Sequence, residues 1–211
     1  MAGAAGIAVA ALAAGKVVIL PSDTVYGLTA AVFQMGDIPR MRAGGVVPLW
    51  QQPAAELYRI KGRSPSQPSI LLARDWETAA LVGTRIEPAE RFCRLVKRSL
   101  TVIVPAKRPW GPPATDHRGG VALRVPRIGF MNLVLKFCKF AFSVSANHPG
   151  GKDPLELIEV PSEMLTAVGV AVDGGPSPSR QPSSIVDFTT SPPQVVRGDA
   201  TLAEALASFR L

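Results

Sequence analysis

Short apolar runs closed by proline, glycine or small polar residues alternate along this chain with stretches of helical periodicity. Residues 7–14, rich in alanine and followed by Gly15, predict a helix. Residues 16–20 contain the continuous run Val17-Val18-Ile19-Leu20, as expected of a strand covered on both faces, and Pro21 stops it. Residues 33–53 keep no period of either kind and predict a long inserted loop. A short helix follows over 54–60, then a turn over 64–68 and a strand over 69–73. Asp75 is placed to cap a helix over 76–82, and Pro88 is tolerated in the first turn of another over 87–98. Strands are predicted over 100–104 and 121–125, separated by a Pro/Gly-rich loop, then an apolar helix over 128–137 and a buried strand over 141–144. The remainder reads as strands over 168–172, 184–188 and 194–197, with a closing helix over 202–209. No internal repeat is visible.

Alternating strands and helices predict one three-layer α/β domain over residues 1–211, built on a mixed sheet. In open α/β sheets, ligands occupy crevices outside strand ends. Four polar loops lie at such ends, over residues 21–26, 61–67, 145–152 and 174–184, and they form one site if they meet at one edge.

The second of these loops carries the most explicit chemistry. Gly62 stands where a helix C-terminus is expected, so Lys61 and Arg63 leave the helix on either side of a residue without a side chain. A mobile ammonium and a planar guanidinium converging there suit a polyphosphate. The same residues, with Arg59, also read as cations answering a helix dipole.

Composition narrows the classes. A chain of 211 residues with 47% hydrophobic residues is long and apolar enough for a real core and is not a disordered composition. The formal charge of +7 favours anionic partners, nucleotides or RNA. Two distant cysteines, Cys93 and Cys138, suggest buried thiols in a reducing compartment, with neither a disulfide framework nor a zinc site. The alanine-rich N-terminus lacks the basic start of a signal peptide, and no uninterrupted apolar run reaches membrane-spanning length. The expectation is a soluble cytoplasmic protein.

Neither G-x-x-x-x-G-K-[ST] nor G-x-G-x-x-G occurs, and H-E-x-x-H and G-x-S-x-G are also missing. His117 and His148 both fall in loops, where solvation is a more ordinary state than catalysis.

Taken together, Pro21-Ser22-Asp23-Thr24-Val25-Tyr26-Gly27-Leu28, Tyr58-x-x-Lys61-Gly62-Arg63, Ser145-Ala146-Asn147, Asp173-Gly174-Gly175 and Pro182-Ser183-Ser184-Ile185-Val186-Asp187 resemble the YrdC-like family, the L-threonylcarbamoyladenylate synthases. The likeness runs from the first helix to Arg197 and implies a YrdC-like three-layer twisted open mixed sheet flanked by helices. It also implies a nucleotidyltransferase that uses ATP, bicarbonate and L-threonine with Mg²⁺ and releases pyrophosphate. The product serves a downstream threonylcarbamoyl transferase complex that builds N6-threonylcarbamoyladenosine in tRNA. Carried over residue by residue, Lys61 and Arg63 are the catalytic pair and hold the triphosphate. Gln67, Thr101, Ser145, Asn147 and Arg197 complete the ATP site, while Thr24, Tyr26, Ser145 and Ser183 line the threonine pocket. No metal-ligating side chain is implied. Asp23 reads as a loop organiser rather than a base. Contact with tRNA or double-stranded RNA is a further expectation. The alternative is a non-catalytic RNA-binding or regulatory relative that keeps the fold and its basic surface.

Four departures from the family pattern stand out. Lys97-Arg98-Ser99 replaces Pro-Gly-Pro before Leu100-Thr101, Ser184 replaces threonine, His148-Pro149-Gly150-Gly151 follows Asn147 where the family has a residue, Ser and Gly, and the Gly27–Lys61 span carries a loop-sized insertion.

Overall fold

The computed structural model describes residues 2–32, 51–64, 66–108, 110 and 113–210. A nine-stranded mixed sheet forms its centre. In chain order the elements begin with α1 (Ala2–Ala13), β1 (Val18–Leu20), β2 (Gly27–Val32), α2 (Gln51–Lys61) and β3 (Ile70–Ala73). Next come α3 (Trp76–Ala79), α4 (Ile86–Val96), β4 (Leu100–Pro105), β5 (Gly120–Arg124), α5 (Gly129–Cys138) and β6 (Phe140–Ser145). A short 3-10 helix (Leu157–Glu159) precedes α6 (Ser162–Ala167), β7 (Val170–Ala171), β8 (Ser184–Asp187), β9 (Gln194–Arg197) and α7 (Ala200–Ser208). Across the sheet the order is β7-β1-β2-β6-β3-β5-β4-β8-β9. The β1–β7, β3–β5 and β4–β8 pairs are parallel and the other pairs antiparallel.

The period of two in each strand divides the core into two layers. Val17 and Ile19, Leu28 and Ala30, Leu71 and Ala73, and Phe140 and Phe142 face one side, where they pack with Leu57 of α2, Phe92 of α4 and Leu202 of α7. Val18 and Leu20, Ala31, Leu72 and Ala141 face the other, against Ala8 and Leu12 of α1 and Val134 and Leu135 of α5. The three-layer mixed architecture expected from the sequence is therefore present. The second layer is incomplete. Leu100, Val102 and Val104 of β4, Val121 and Leu123 of β5 and Val186 of β8 all belong to the first cluster, while no residue of β4, β5 or β8 enters the second. On that side, among the described residues, these strands have side chains but no covering helix core. The site lies there.

Several expectations need correction. Residues 27–32 form β2, paired on both edges by β1 and β6, although Gly27, Ala30 and Ala31 give half of it little strand propensity. Burial of all six residues between two neighbours decides the matter. Of the loop expected over 33–53, residues 33–50 lie outside the described residues, and residues 51–53 belong to α2. Pro53 sits in the first turn of that helix, where a missing N–H costs nothing. The 3-10 helix and α6 were not legible in the sequence pattern at all.

Candidate active site

α2 ends in a Schellman turn. Gly62 has φ +66°, its N–H bonds the Arg59 carbonyl at 3.2 Å, and the Arg63 N–H reaches back to the Tyr58 carbonyl at 3.0 Å. This geometry makes Lys61 the final helical residue and turns its side chain toward the end of β6. The Lys61 Nζ donates to the Ser145 carbonyl at 2.7 Å, to the Ser145 hydroxyl at 3.3 Å, and to both the carbonyl and the side-chain oxygen of Asn147. Burial pushes the Lys61 pKa down to about 8; the charge of Asp153 resists that shift and Arg63 adds to it.

The four polar loops do meet. Tyr26 receives an N–H bond from Gly174 at 2.9 Å on its hydroxyl, which donates to the Gly175 carbonyl at 2.8 Å. The Tyr26 N–H bonds the Pro154 carbonyl and its own carbonyl accepts from Ala146, each at 2.9 Å. Ser179 N–H reaches the Asp23 carbonyl at 3.1 Å. One residue, Tyr26, thus ties three loops together, and desolvation raises its phenol pKa.

Beside this junction, over the uncovered half of the sheet, lies a cavity of about 310 Å³. Its floor consists of alternate strand residues: Ile70 and Leu72 of β3, Thr101 and Ile103 of β4, Ala122 and Arg124 of β5, Ser143 and Ser145 of β6, and Ile185 of β8. Lys61, Arg63, Arg197, Thr24, Ser183 and Asp153 form its walls. Gly27 permits close approach here, since a Cβ would stand 2.7 Å from the Ser143 hydroxyl. The cavity therefore sits over a sheet face as well as at strand ends, which corrects the purely strand-end expectation.

Of the residues the sequence singled out, Lys61, Arg63, Thr101, Ser145, Arg197, Thr24 and Ser183 line this one space. Thr101 and Ser183 share a hydroxyl hydrogen bond of 2.8 Å, and Arg197 Nε donates to the Ser183 carbonyl at 2.8 Å. Asn147 lies one step back: it holds Lys61, and its amide donates to the Gly151 carbonyl at 2.6 Å. Gln67 is exposed and accepts from Arg63 Nε at 2.9 Å. Tyr26 is fully buried and serves the loop junction rather than the cavity wall. His148 pairs with Glu163 on the surface, away from the cavity.

Two charged residues of the site escaped the sequence reading. Arg124 is buried at the cavity floor, donating to the Thr24 hydroxyl at 2.8 Å and to Asp23 Oδ1 at 2.5 Å, while its Nε has no partner. Burial lowers its pKa, and the Asp23 carboxylate opposes that shift. The available signal was a lone arginine inside the apolar strand 121–125. Asp153, in the loop after Asn147, is the carboxylate of the lining; nothing in its sequence context marked it. Asp23 is a loop organiser, as expected: it holds Arg124 and accepts from the Ser99 hydroxyl.

With Lys61, Arg63, Arg124 and Arg197 facing one carboxylate, the lined space suits a ligand carrying several negative charges. Among the described residues, no group of three or more His, Cys, Asp or Glu side chains could hold a metal ion by itself.

The Sua5/YciO/YrdC family model, described as telomere recombination, matches residues 45–198. The chain belongs to this family. A protein of Mycobacterium tuberculosis named putative threonylcarbamoyl-AMP synthase is 30% identical over 205 residues, covering 95% of this chain and 86% of that protein. The threonylcarbamoyl-AMP synthase of Pyrococcus abyssi is 24% identical, over 87% of this chain and 50% of its own length. Among family structures, P. abyssi Sua5 complexed with L-threonine superposes with a TM-score of 0.81 at 22% identity. It covers 99% of this chain, which spans 58% of that one. Escherichia coli YciO gives a TM-score of 0.73 at 19% identity, over 96% of this chain and 93% of its own. These superpositions place the nine-stranded sheet within the family's fold.

Proposed function

We propose that this family member is an L-threonylcarbamoyladenylate synthase, forming threonylcarbamoyl-AMP and pyrophosphate from L-threonine, bicarbonate and ATP. The observation that carries the reading is the convergence of Lys61, from the end of α2, on Ser145 and Asn147, beside a cavity that also contains Arg63, Arg124 and Arg197. The family match and the name of the M. tuberculosis relative support it.

The chemistry asks mainly for placement. The threonine amine adds to bicarbonate with loss of water, or to CO₂ with loss of a proton, to give a carbamate, and a carbamate oxygen attacks the α-phosphorus while the P–O bond to pyrophosphate breaks. Positioning and charge neutralisation at the leaving group supply the acceleration, and no enzyme nucleophile is required. In this reading Lys61, Arg63 and Arg197 hold the triphosphate. Arg124, whose terminal nitrogens each keep a further N–H beyond the bonds to Thr24 and Asp23, takes the threonine carboxylate; Thr24, Ser145 and Ser183 complete that pocket. Asp153, the single carboxylate of the lining among the described residues, fits an ion that arrives with the nucleotide better than a resident metal, because Mg²⁺ commonly takes one or two carboxylates together with substrate phosphates. Mg²⁺ would neutralise charge on the phosphates.

Delivery of the product to a tRNA-modifying transferase, contact with tRNA and a cytoplasmic location belong to the same proposal. The formal charge of +7 favours the RNA contact. No helix among the described residues is long and apolar enough to cross a membrane. The test is pyrophosphate release measured with and without threonine and bicarbonate. Lys61→Ala is expected to abolish the dependent release, and full turnover in that variant would remove the assignment. Salt-sensitive RNA binding without any such release in the wild type would favour the non-catalytic alternative.

A further inference from the structure

Behind the Asp23–Arg124 pair lies a second cavity of about 410 Å³, lined by Lys97, Arg98, Ser99, Arg127 and Asp23. Asp23 forms part of its wall, and Arg124 forms part of the floor of the first cavity. The carboxylate between them is divided cleanly: Oδ1 accepts from Arg124 and Oδ2 accepts from the Ser99 hydroxyl, both at 2.5 Å. Ser99 stands where the family pattern has a proline, a residue that has no hydroxyl to give.

We infer that Ser99 is a positioning residue for the amino-acid substrate, acting through Asp23 on Arg124. This rests on the reading of Arg124 as the group that meets the threonine carboxylate. Arg124 carries five N–H donors on three nitrogens: one terminal nitrogen gives an N–H to Thr24, the other gives one to Asp23, each keeps a second, and Nε is buried without a partner. The direction in which the guanidinium and its remaining terminal N–H groups point is thus fixed by two anchors, and one of them is a carboxylate that can rotate. The Ser99 hydroxyl prevents that rotation. Without it, Asp23 Oδ2 becomes a buried acceptor with an ordinary reason to turn toward Lys97, Arg98 and Arg127 across the second cavity, drawing Oδ1 off Arg124. Arg98 is already paired with Asp199 at 2.9 Å, and Arg127 donates to the Cys93 carbonyl, so among the described residues Lys97 is the cation of this cavity without such an anchor. Among the described residues, neither Thr101 nor Arg197 shares a side-chain hydrogen bond with Ser99, Asp23 or Arg124, so the nucleotide side of the cavity is not bonded to this relay.

The consequence is selective. Ser99→Ala should weaken L-threonine binding about tenfold, the scale of one lost hydrogen bond to a charged group, and leave binding of a non-hydrolysable ATP analogue unchanged. Ser99→Thr, which keeps a hydroxyl, should recover most of the affinity. Calorimetric titration of wild type, S99A and S99T with each ligand, alongside thermal melts, reads all of this, and steady-state kinetics should show the change in KM for threonine rather than in kcat. Wild-type protein that binds no threonine would overturn the functional reading itself. Wild-type and S99A proteins binding threonine equally, S99A losing both ligands in parallel, or S99T failing to recover while folded, would each overturn the role of Ser99 and leave the functional reading standing.

Discussion

Asp23 and Arg124 meet at 2.5 Å although 101 residues separate them, and both side chains are 7% exposed. The pair joins the loop after β1 to the end of β5, placing a fixed positive charge on the cavity floor. A buried pair of this kind contributes little net stability, yet removing one partner strands a charge. Asp23→Ala is therefore expected to cost about 3 kcal/mol in urea denaturation, and Asp23→Ala/Arg124→Met to recover much of that loss. Additive losses in the double variant would show that the two residues act independently.

Lys61 makes the nucleotide site pH-sensitive. Its pKa of about 8 means that the ammonium is present below that pH and lost above it. With Lys61 holding phosphate, kcat/KM for ATP should fall above about pH 8, approaching tenfold per pH unit. Stability runs the other way. Between about 8 and the ordinary value of 10.5 the unfolded chain keeps a proton that the folded chain has released, so this group makes the fold more stable as pH rises through that window. A pH–rate profile paired with urea melts separates the two; a flat profile to pH 10 would dismiss the phosphate role of the charge.

Tyr26 offers a direct check on its place in the structure. Removing its hydroxyl strands the Gly174 N–H and the Gly175 carbonyl, an expected loss of about 1–3 kcal/mol. Since the ring does not line the cavity, Tyr26→Phe should lower the melting temperature while KM for threonine stays near the wild-type value. A large rise in that KM with an unchanged melt would return Tyr26 to the threonine pocket.

Gly27 tests the close approach at the edge of the cavity. A Cβ there meets the Ser143 hydroxyl at 2.7 Å and the Val144 carbonyl at 3.3 Å. The hydroxyl can rotate away, whereas the carbonyl belongs to the β2–β6 ladder and cannot. Gly27→Ala is expected to lose about 1 kcal/mol and to weaken nucleotide-analogue binding, as read by melts and calorimetry. Wild-type stability and affinity in this variant would show that the strands yield more easily than their pairing suggests.

Much of this arrangement was legible from residues alone, for identifiable reasons. Gly62 requires a positive φ and so announces the end of α2, which in turn places Lys61 and Arg63 on either side of it. The strands of large apolar residues, such as 16–20 and 100–104, carry their own signal. β2 did not, because its glycine and two alanines favour a strand only when neighbours on both edges impose it. Arg124 was visible as an oddity in an apolar strand, but its role depends on Asp23, which only folding brings near.

Chain order, alternation and turn chemistry by themselves determined the class of fold, the end of α2 and the set of polar loops, since each depends on residues within a few positions of one another. Tertiary structure alone decided where the site opens. Among the described residues, helices α1 and α5 cover one half of a sheet face and no helix core covers β5, β4 and β8 there, and that is a matter of long-range packing. The same holds for the division of labour at the cavity. Tyr26 and Asn147 became supports, while Arg124 and Asp153 became wall, because a side chain's reach is set by the strand register and loop path beneath it rather than by its neighbours in sequence.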